Sequence, residues 1–262
     1  MDAMDILEYF IEEARASDDI DALVLAGSKT GLINDEMSDY DIYVYSKDKV
    51  NIETRKKFAR KYEAYCELGN DYFEYGDEFI IKDEIYFDFM YRNLSFAENE
   101  INYVWRECNS KIGYTTAFLY NIKNSKILYD KDSKFKNLQK ELINNEYPDK
   151  LKENIIKRNL AVMKDKKTSS FFEQLEKALK RNDIVSVSHR LTALLSSYFD
   201  ILFALNKELH PGEKKLIKYA YKLCKKLPEN FENDLNNIIT GGLNENLLDN
   251  LNSLIGNIKK II

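Results

Sequence analysis

Cysteine, histidine and proline are scarce in this 262-residue chain, at three, two and three. Cys66, Cys108 and Cys224 are odd in number, far apart and in no Cys-x-x-Cys pair. That pattern speaks against a disulfide framework and leads us to expect a reducing, cytoplasmic setting. Two histidines do not suffice for a multi-histidine zinc site. No apolar run approaches membrane-spanning length, and Met1 is followed by acidic residues rather than a basic segment and an apolar core. Neither a transmembrane helix nor a secretory signal is therefore expected. Internal repeats and low-complexity tracts are absent as well. What remains is 44% apolar and 32% charged, the balance of a soluble, folded chain. The 18 tyrosines and 14 phenylalanines accompany a bias towards Lys, Asn and Ile, so no single tyrosine carries functional weight on that ground.

The net charge of -5 conceals an asymmetry. Residues 1–100 hold 25 acidic and 11 basic residues, and the remaining 162 hold 19 acidic and 28 basic. Two solvated surfaces would explain this. So would carboxylates that take a metal on one domain and lysines that take phosphates on another.

The pattern changes near residue 130. Before it, Ile6, Leu7, Phe10, Ile11 and Ala14 repeat at helical spacing, and Asp21–Ala26 reads as a strand closed by Gly27-Ser28. Asp39–Tyr45 reads as a second strand, with Tyr40, Ile42 and Val44 on one side and Asp39, Asp41 and Tyr43 on the other. A helix is expected over 52–66. The segments 72–81 and 85–91 should form a hairpin, followed by short helices over 96–108 and 112–121 and a short strand or connector at 127–129. After residue 130 helices are expected over 133–145, 149–163, 168–180, 183–208, 212–226, 229–239 and 243–260, punctuated by Pro148, Pro211-Gly212, Pro228 and Gly241-Gly242. The apolar period of 183–208 marks it as the centre of a bundle. The expected class is α+β, with a mixed sheet and flanking helices over 1–130 and a helical bundle over 131–262.

The chemistry concentrates in the first half. Asp39 and Asp41 sit at i and i+2 of a strand, and Asp88 lies in the later strand-like run 85-IYFDFMYR-92. Carboxylates gathered by a sheet are costly unless they hold divalent metal, the requirement of phosphoryl or nucleotidyl transfer. Backbone N–H groups and the hydroxyl at Gly27-Ser28 could hold a triphosphate. A lone Asp-x-Asp is weak, whereas a strand, a Gly-Ser turn, an Asp-x-Asp strand and a further Asp strand in that order are much more specific.

In that order these residues resemble the nucleotidyltransferase superfamily that includes DNA polymerase β and the aminoglycoside nucleotidyltransferases. Tyr40 takes the position usually filled by an apolar residue. The resemblance covers roughly residues 5–130, and 203-FALNKELHPGEKKL-216 is similar, less specifically, to the second domain of bacterial members. It implies that Gly27 and Ser28 bind the triphosphate of ATP or another nucleoside triphosphate, and that Asp39, Asp41 and Asp88 bind Mg²⁺. Lys214 becomes a candidate phosphate or substrate contact. The implied reaction moves AMP to a hydroxyl of a small polar acceptor, such as an aminoglycoside-like compound, held between sheet and helices. An acceptor on protein or RNA, as in toxin–antitoxin pairs, is an alternative reading, as is a non-catalytic nucleotide-binding protein that keeps the fold. Nucleic acid ranks below a small molecule because the chain is acidic and carries no nucleic-acid module. No membrane partner is expected, and the oligomeric state is left open.

Other residues admit two readings. Glu74, Glu78 and Glu84 are alternative general bases, although a metal-bound hydroxyl needs no dedicated base. Arg92 could pair with a carboxylate or a phosphate. Tyr103 and Trp105 could stack on a ligand or belong to the core. His189 and His210 are weaker candidates for a base than for ordinary packing. The basic run 213–226 reads as a solvated amphipathic helix, with Lys214 and Lys218 one turn apart.

Overall fold

The computed structural model describes residues 3–33, 38–47, 50–62, 64–72, 74–82, 85–165, 169–243 and 246–262. The chain forms two compact units that alternate along the sequence: 1–101 with 121–146, and 102–120 with 147–262. This differs from a single break at 130. The segment 102–120 folds with the later helices, and the helix after residue 133 folds with the sheet.

The first unit holds helix α1 (Ala3–Ala16), strands β1 (Ile20–Leu25) and β2 (Tyr40–Ser46), helix α2 (Ile52–Tyr62), and strands β3 (Tyr65–Asn70), β4 (Gly76–Ile81) and β5 (Ile85–Arg92). Helix α3 (Leu94–Glu100) follows. Helix α4 (Ala117–Asn124) brings the chain back into this unit for β6 (Lys126–Asp130) and α5 (Lys134–Asn144). The strand order is β3-β4-β5-β2-β1-β6. Strands β2 and β5 pair parallel, and the other neighbours in this order pair antiparallel. A parallel pair needs a crossover, here supplied by α2, β3 and β4.

Alternation decides which way each strand faces. Leu23, Leu25, Ile42, Val44, Phe79, Ile81, Phe87 and Phe89 share one buried core with Ile6, Leu7 and Ala14 of α1. The Phe10 ring lies 4.3 Å from that of Phe89. Burying an aromatic side chain of this kind is worth about 2–3 kcal/mol. Asp77 on β4 also faces inward, and its carboxylate accepts from Arg55 of α2, the Tyr91 hydroxyl at 2.7 Å and the Gly69 N–H at 2.8 Å. The buried charge is thereby paired and fully hydrogen-bonded, the condition under which a carboxylate is tolerated in a core.

Strand β3 is a departure from expectation. A helix is expected over 52–66, yet α2 ends at Tyr62. From Tyr65 onward Cys66 and Leu68 pack towards the core, and pairing to β4 overrides the local helical pattern. Likewise β4 begins at Gly76 rather than at residue 72, and β2 begins at Tyr40, one residue after Asp39.

The second unit is helical. It comprises residues 102–120 together with α6 (Asp149–Met163), α7 (Phe171–Lys180), α8 (Ile184–Leu205), α9 (Leu216–Leu223), α10 (Phe231–Thr240) and α11 (Asn246–Lys259). As its apolar period implies, α8 is the central element, burying Val187, Leu191, Leu194, Tyr198, Ile201 and Leu202. Helix α9 is shorter than expected because Lys215 takes a left-handed conformation at its start. Lys214 therefore lies in the turn ahead of α9, not in its first turn. Asp200 of α8 accepts from the Thr115 N–H and hydroxyl and from Asn159. Burial nonetheless raises its pKa to about 6. Among the described residues, no helix is long and apolar enough to cross a membrane.

Candidate active site

Strand register assembles the site. Asp41 of β2 stands directly opposite Asp88 of β5 in the parallel pair. Both are on the sheet face away from the α1 core, since their neighbours Ile42, Phe87 and Phe89 are fully or almost fully buried on the other face. Adjacent strands lie about 4.8 Å apart, so the two carboxylates are within reach of one small cation. Across β5, Asp88 opposes Glu78 of β4, and Glu78 opposes Glu67 of β3. A cleft of about 240 Å³ is lined by Asp41, Asp88, Glu78, Asn70 and Met90. Asp39 immediately precedes β2 and is exposed, so the ladder brings Asp41 and Asp88 into register but not Asp39.

The turn after β1 closes on the same carboxylate. The Ala26 N–H donates to the Asp41 carbonyl at 2.8 Å, extending the ladder to the end of β1. Gly27 then turns with φ +64°. A Cβ at this position would lie 2.6 Å from Asp41 Cγ and overlap Oδ2. Gly27, Ser28 and Lys29 form a single 3-10 turn, tied at its end by the Thr30 N–H and hydroxyl to the Gly27 carbonyl at 3.3 and 3.1 Å. Glycine is thus required both by its backbone conformation and by the approach of the turn to Asp41.

Several of the alternative readings are decided here. Arg92 forms a bidentate ion pair with Glu74, and its guanidinium stacks over the Tyr43 ring at 4.1 Å. Glu74 is therefore engaged, and Glu78 is the member of the pair that stands beside Asp88. Glu84 lies outside the described residues. Trp105 is buried and edge-on to Tyr147, 5.5 Å between ring centres, as a core residue of the second unit. His189 is exposed on α8. His210 is buried, its Nδ1 accepts from the Gly212 N–H, and desolvation lowers its pKa to about 3. It stays neutral and serves packing.

Among the described residues, no three His, Cys, Asp or Glu side chains converge as a ready-made metal cage. The donor set still fits Mg²⁺. That ion takes hard oxygens and is commonly held by one or two carboxylates with substrate phosphates and water completing its shell. A pair of registered carboxylates facing a Gly-Ser turn offers that arrangement. Sequence reasoning missed Asn121 of α4. Its side-chain oxygen accepts from the Gly27 N–H at 3.3 Å, and its amide nitrogen donates to the Tyr43 hydroxyl at 2.6 Å. The contact to Gly27 spans 94 residues, and no spacing signal could have announced it.

Comparison with known proteins adds three findings. A nucleotidyltransferase-like protein from Exiguobacterium sibiricum 255-15 is similar in structure at a TM-score of 0.47 and 8% identity, covering 99% of this chain and 74% of that one. An aminoglycoside 6-adenyltransferase from Bacillus subtilis is similar at a TM-score of 0.33 and 16% identity, covering 98% of this chain and 88% of that one. A model described as a domain of unknown function, DUF4037, matches residues 113–216. A search of curated proteins found no match. At these scores the structural likenesses carry no argument about residues or activity. The chain's own architecture is a six-stranded mixed sheet in which a strand closed by Gly-Ser is followed by a strand whose Asp41 stands opposite Asp88.

Proposed function

We propose that the chain is a Mg²⁺-dependent nucleotidyltransferase that moves AMP from ATP to a hydroxyl of a small polar acceptor, with pyrophosphate leaving. The observation that carries this reading is the register of Asp41 with Asp88 under a Gly27 turn that tolerates no side chain. Asp41 and Asp88 would hold Mg²⁺, which neutralises triphosphate charge and acidifies a hydroxyl. The Gly27–Ser28 turn would receive the triphosphate. Glu78, beside Asp88, would accept the proton of the attacking hydroxyl as its oxygen bonds to the α-phosphorus and the bond to pyrophosphate breaks. Lys214 belongs to the second unit, in the turn ahead of α9.

The test has two parts. Calorimetry with Mg²⁺ and a non-hydrolysable ATP analogue reads binding. Incubation with α-labelled ATP and a panel of hydroxyl compounds, aminoglycosides included, reads transfer. Asp41→Asn and Asp88→Asn should fold as wild type and lose transfer by about 10³-fold or more, the scale expected when an electrostatic stabiliser of the transition state is removed. Wild-type transfer in both variants would end the reading.

A further inference from the structure

We propose that Asn121 is a positioning residue that sets the distance between the Gly27–Ser28 turn and the Asp41 carboxylate. This rests on the nucleotidyltransferase reading of the site. The Asn121 amide bridges the two parts that have to face each other. Its oxygen takes the Gly27 N–H, and its nitrogen holds the hydroxyl of Tyr43, two residues along β2 from Asp41 and on the same face. The amide's orientation follows from its partners, since a backbone N–H can only donate and must meet the oxygen.

Both ends of this bridge are anchored. The Tyr43 ring lies under the Arg92 guanidinium, which Glu74 fixes in turn. On the other side the end of α4 is capped. The Ser125 hydroxyl donates to the Asn121 carbonyl at 2.6 Å, and the Gln139 amide donates to the carbonyls of Ile122, Lys123 and Ser125 at 2.8 to 3.2 Å. A side chain held on a capped helix end transmits little slack to the turn it grips.

One consequence concerns the division of labour in the turn. The Gly27 N–H is committed to Asn121, so Gly27 contributes its shape and Ser28 the contact to phosphate. A second consequence concerns charge. A neutral amide accepts from Gly27 without adding a negative group beside Asp41, whereas a carboxylate at this position would repel the triphosphate.

The experiment compares wild type, Asn121→Ala, Tyr43→Phe and the double variant. Hydrogen exchange on the free proteins reads the turn, and calorimetry with Mg²⁺ and a non-hydrolysable ATP analogue reads its use. Asn121→Ala should speed exchange in residues 26–30 and weaken analogue binding by about 10-fold or more, the effect of losing a partly buried, positioned hydrogen bond. Tyr43→Phe should weaken binding less, and the double variant no more than Asn121→Ala, because both act through one chain of contacts. Tyr43→Phe removes a single hydroxyl and serves if Asn121→Ala does not fold. Unchanged binding in the single variants, or effects that multiply in the double, would overturn the positioning role alone. A wild-type protein that fails to bind the analogue with Mg²⁺ would overturn the nucleotide reading and this inference with it.

Discussion

Gly27→Ala is the sharpest single perturbation the site allows. Two effects act together. At φ +64° an alanine is in the left-handed region, which costs an L-residue roughly 1–2 kcal/mol. The added Cβ would also stand 2.6 Å from Asp41 Cγ and 3.0 Å from its Cβ. Ordinary carbon contacts begin near about 3.5 Å, so the turn or the carboxylate has to retreat by roughly 1 Å. The turn sits at the sheet's end and yields more readily than β2, whose Ile42 and Val44 are locked in the core. We expect a loss of stability of about 1–3 kcal/mol, seen as a lower urea midpoint. The larger effect should be functional, because a misplacement of about 1 Å between phosphate site and carboxylates costs on the order of 10²-fold in rate. Analogue binding by calorimetry and AMP transfer from labelled ATP measure it. A Gly27→Ala protein with wild-type stability and wild-type affinity for the Mg²⁺–analogue complex would refute the account of this turn.

Four further outcomes follow from the structure. Glu78→Gln should leave analogue binding near wild type, slow transfer by about 10²–10⁴-fold and flatten the acid limb of the pH–rate profile. Glu74→Gln, by contrast, should loosen Arg92 and lower stability without that change in profile. Acid stability should show two opposed contributions. His210 has a folded pKa of about 3, below its unfolded value, so stability is lost as pH falls from 6.5 towards 3. Asp200 has a folded pKa of about 6, above its unfolded value, so the folded state takes up the proton first and stability is gained as pH falls from 6 towards 4. His210→Phe should unmask a rise in urea midpoint over pH 6 to 4 that wild type lacks; a falling midpoint in the variant would contradict the burial assigned to Asp200. Asp200→Ala should lower stability by about 3–5 kcal/mol at neutral pH, because the Thr115 and Asn159 donors lose their acceptor.

Local pattern alone determined much of this molecule. The alternation of Ile42 and Val44 against Asp41 and Tyr43 settles which way β2 faces, and the apolar period of α8 makes it the bundle centre whatever surrounds it. The order strand, Gly-Ser, strand with Asp, later strand with Asp was legible because each piece is a short-range pattern. Tertiary structure decided the rest. Whether Asp88 meets Asp41 depends on the register of a parallel pair with a crossover between its strands, and a slip of one residue would have turned Asp88 into the core. Strand β3 exists because β4 offers a ladder, against the helix expected to run to residue 66. Glu74 and Glu78, four residues apart in one acidic stretch, part company only because Arg92 reaches the first and Asp88 faces the second. Asn121 reaches Gly27 across 94 residues of chain. Periodicity reports how a segment presents itself to an undefined interior, but which distant group it meets there is a property of the assembled packing.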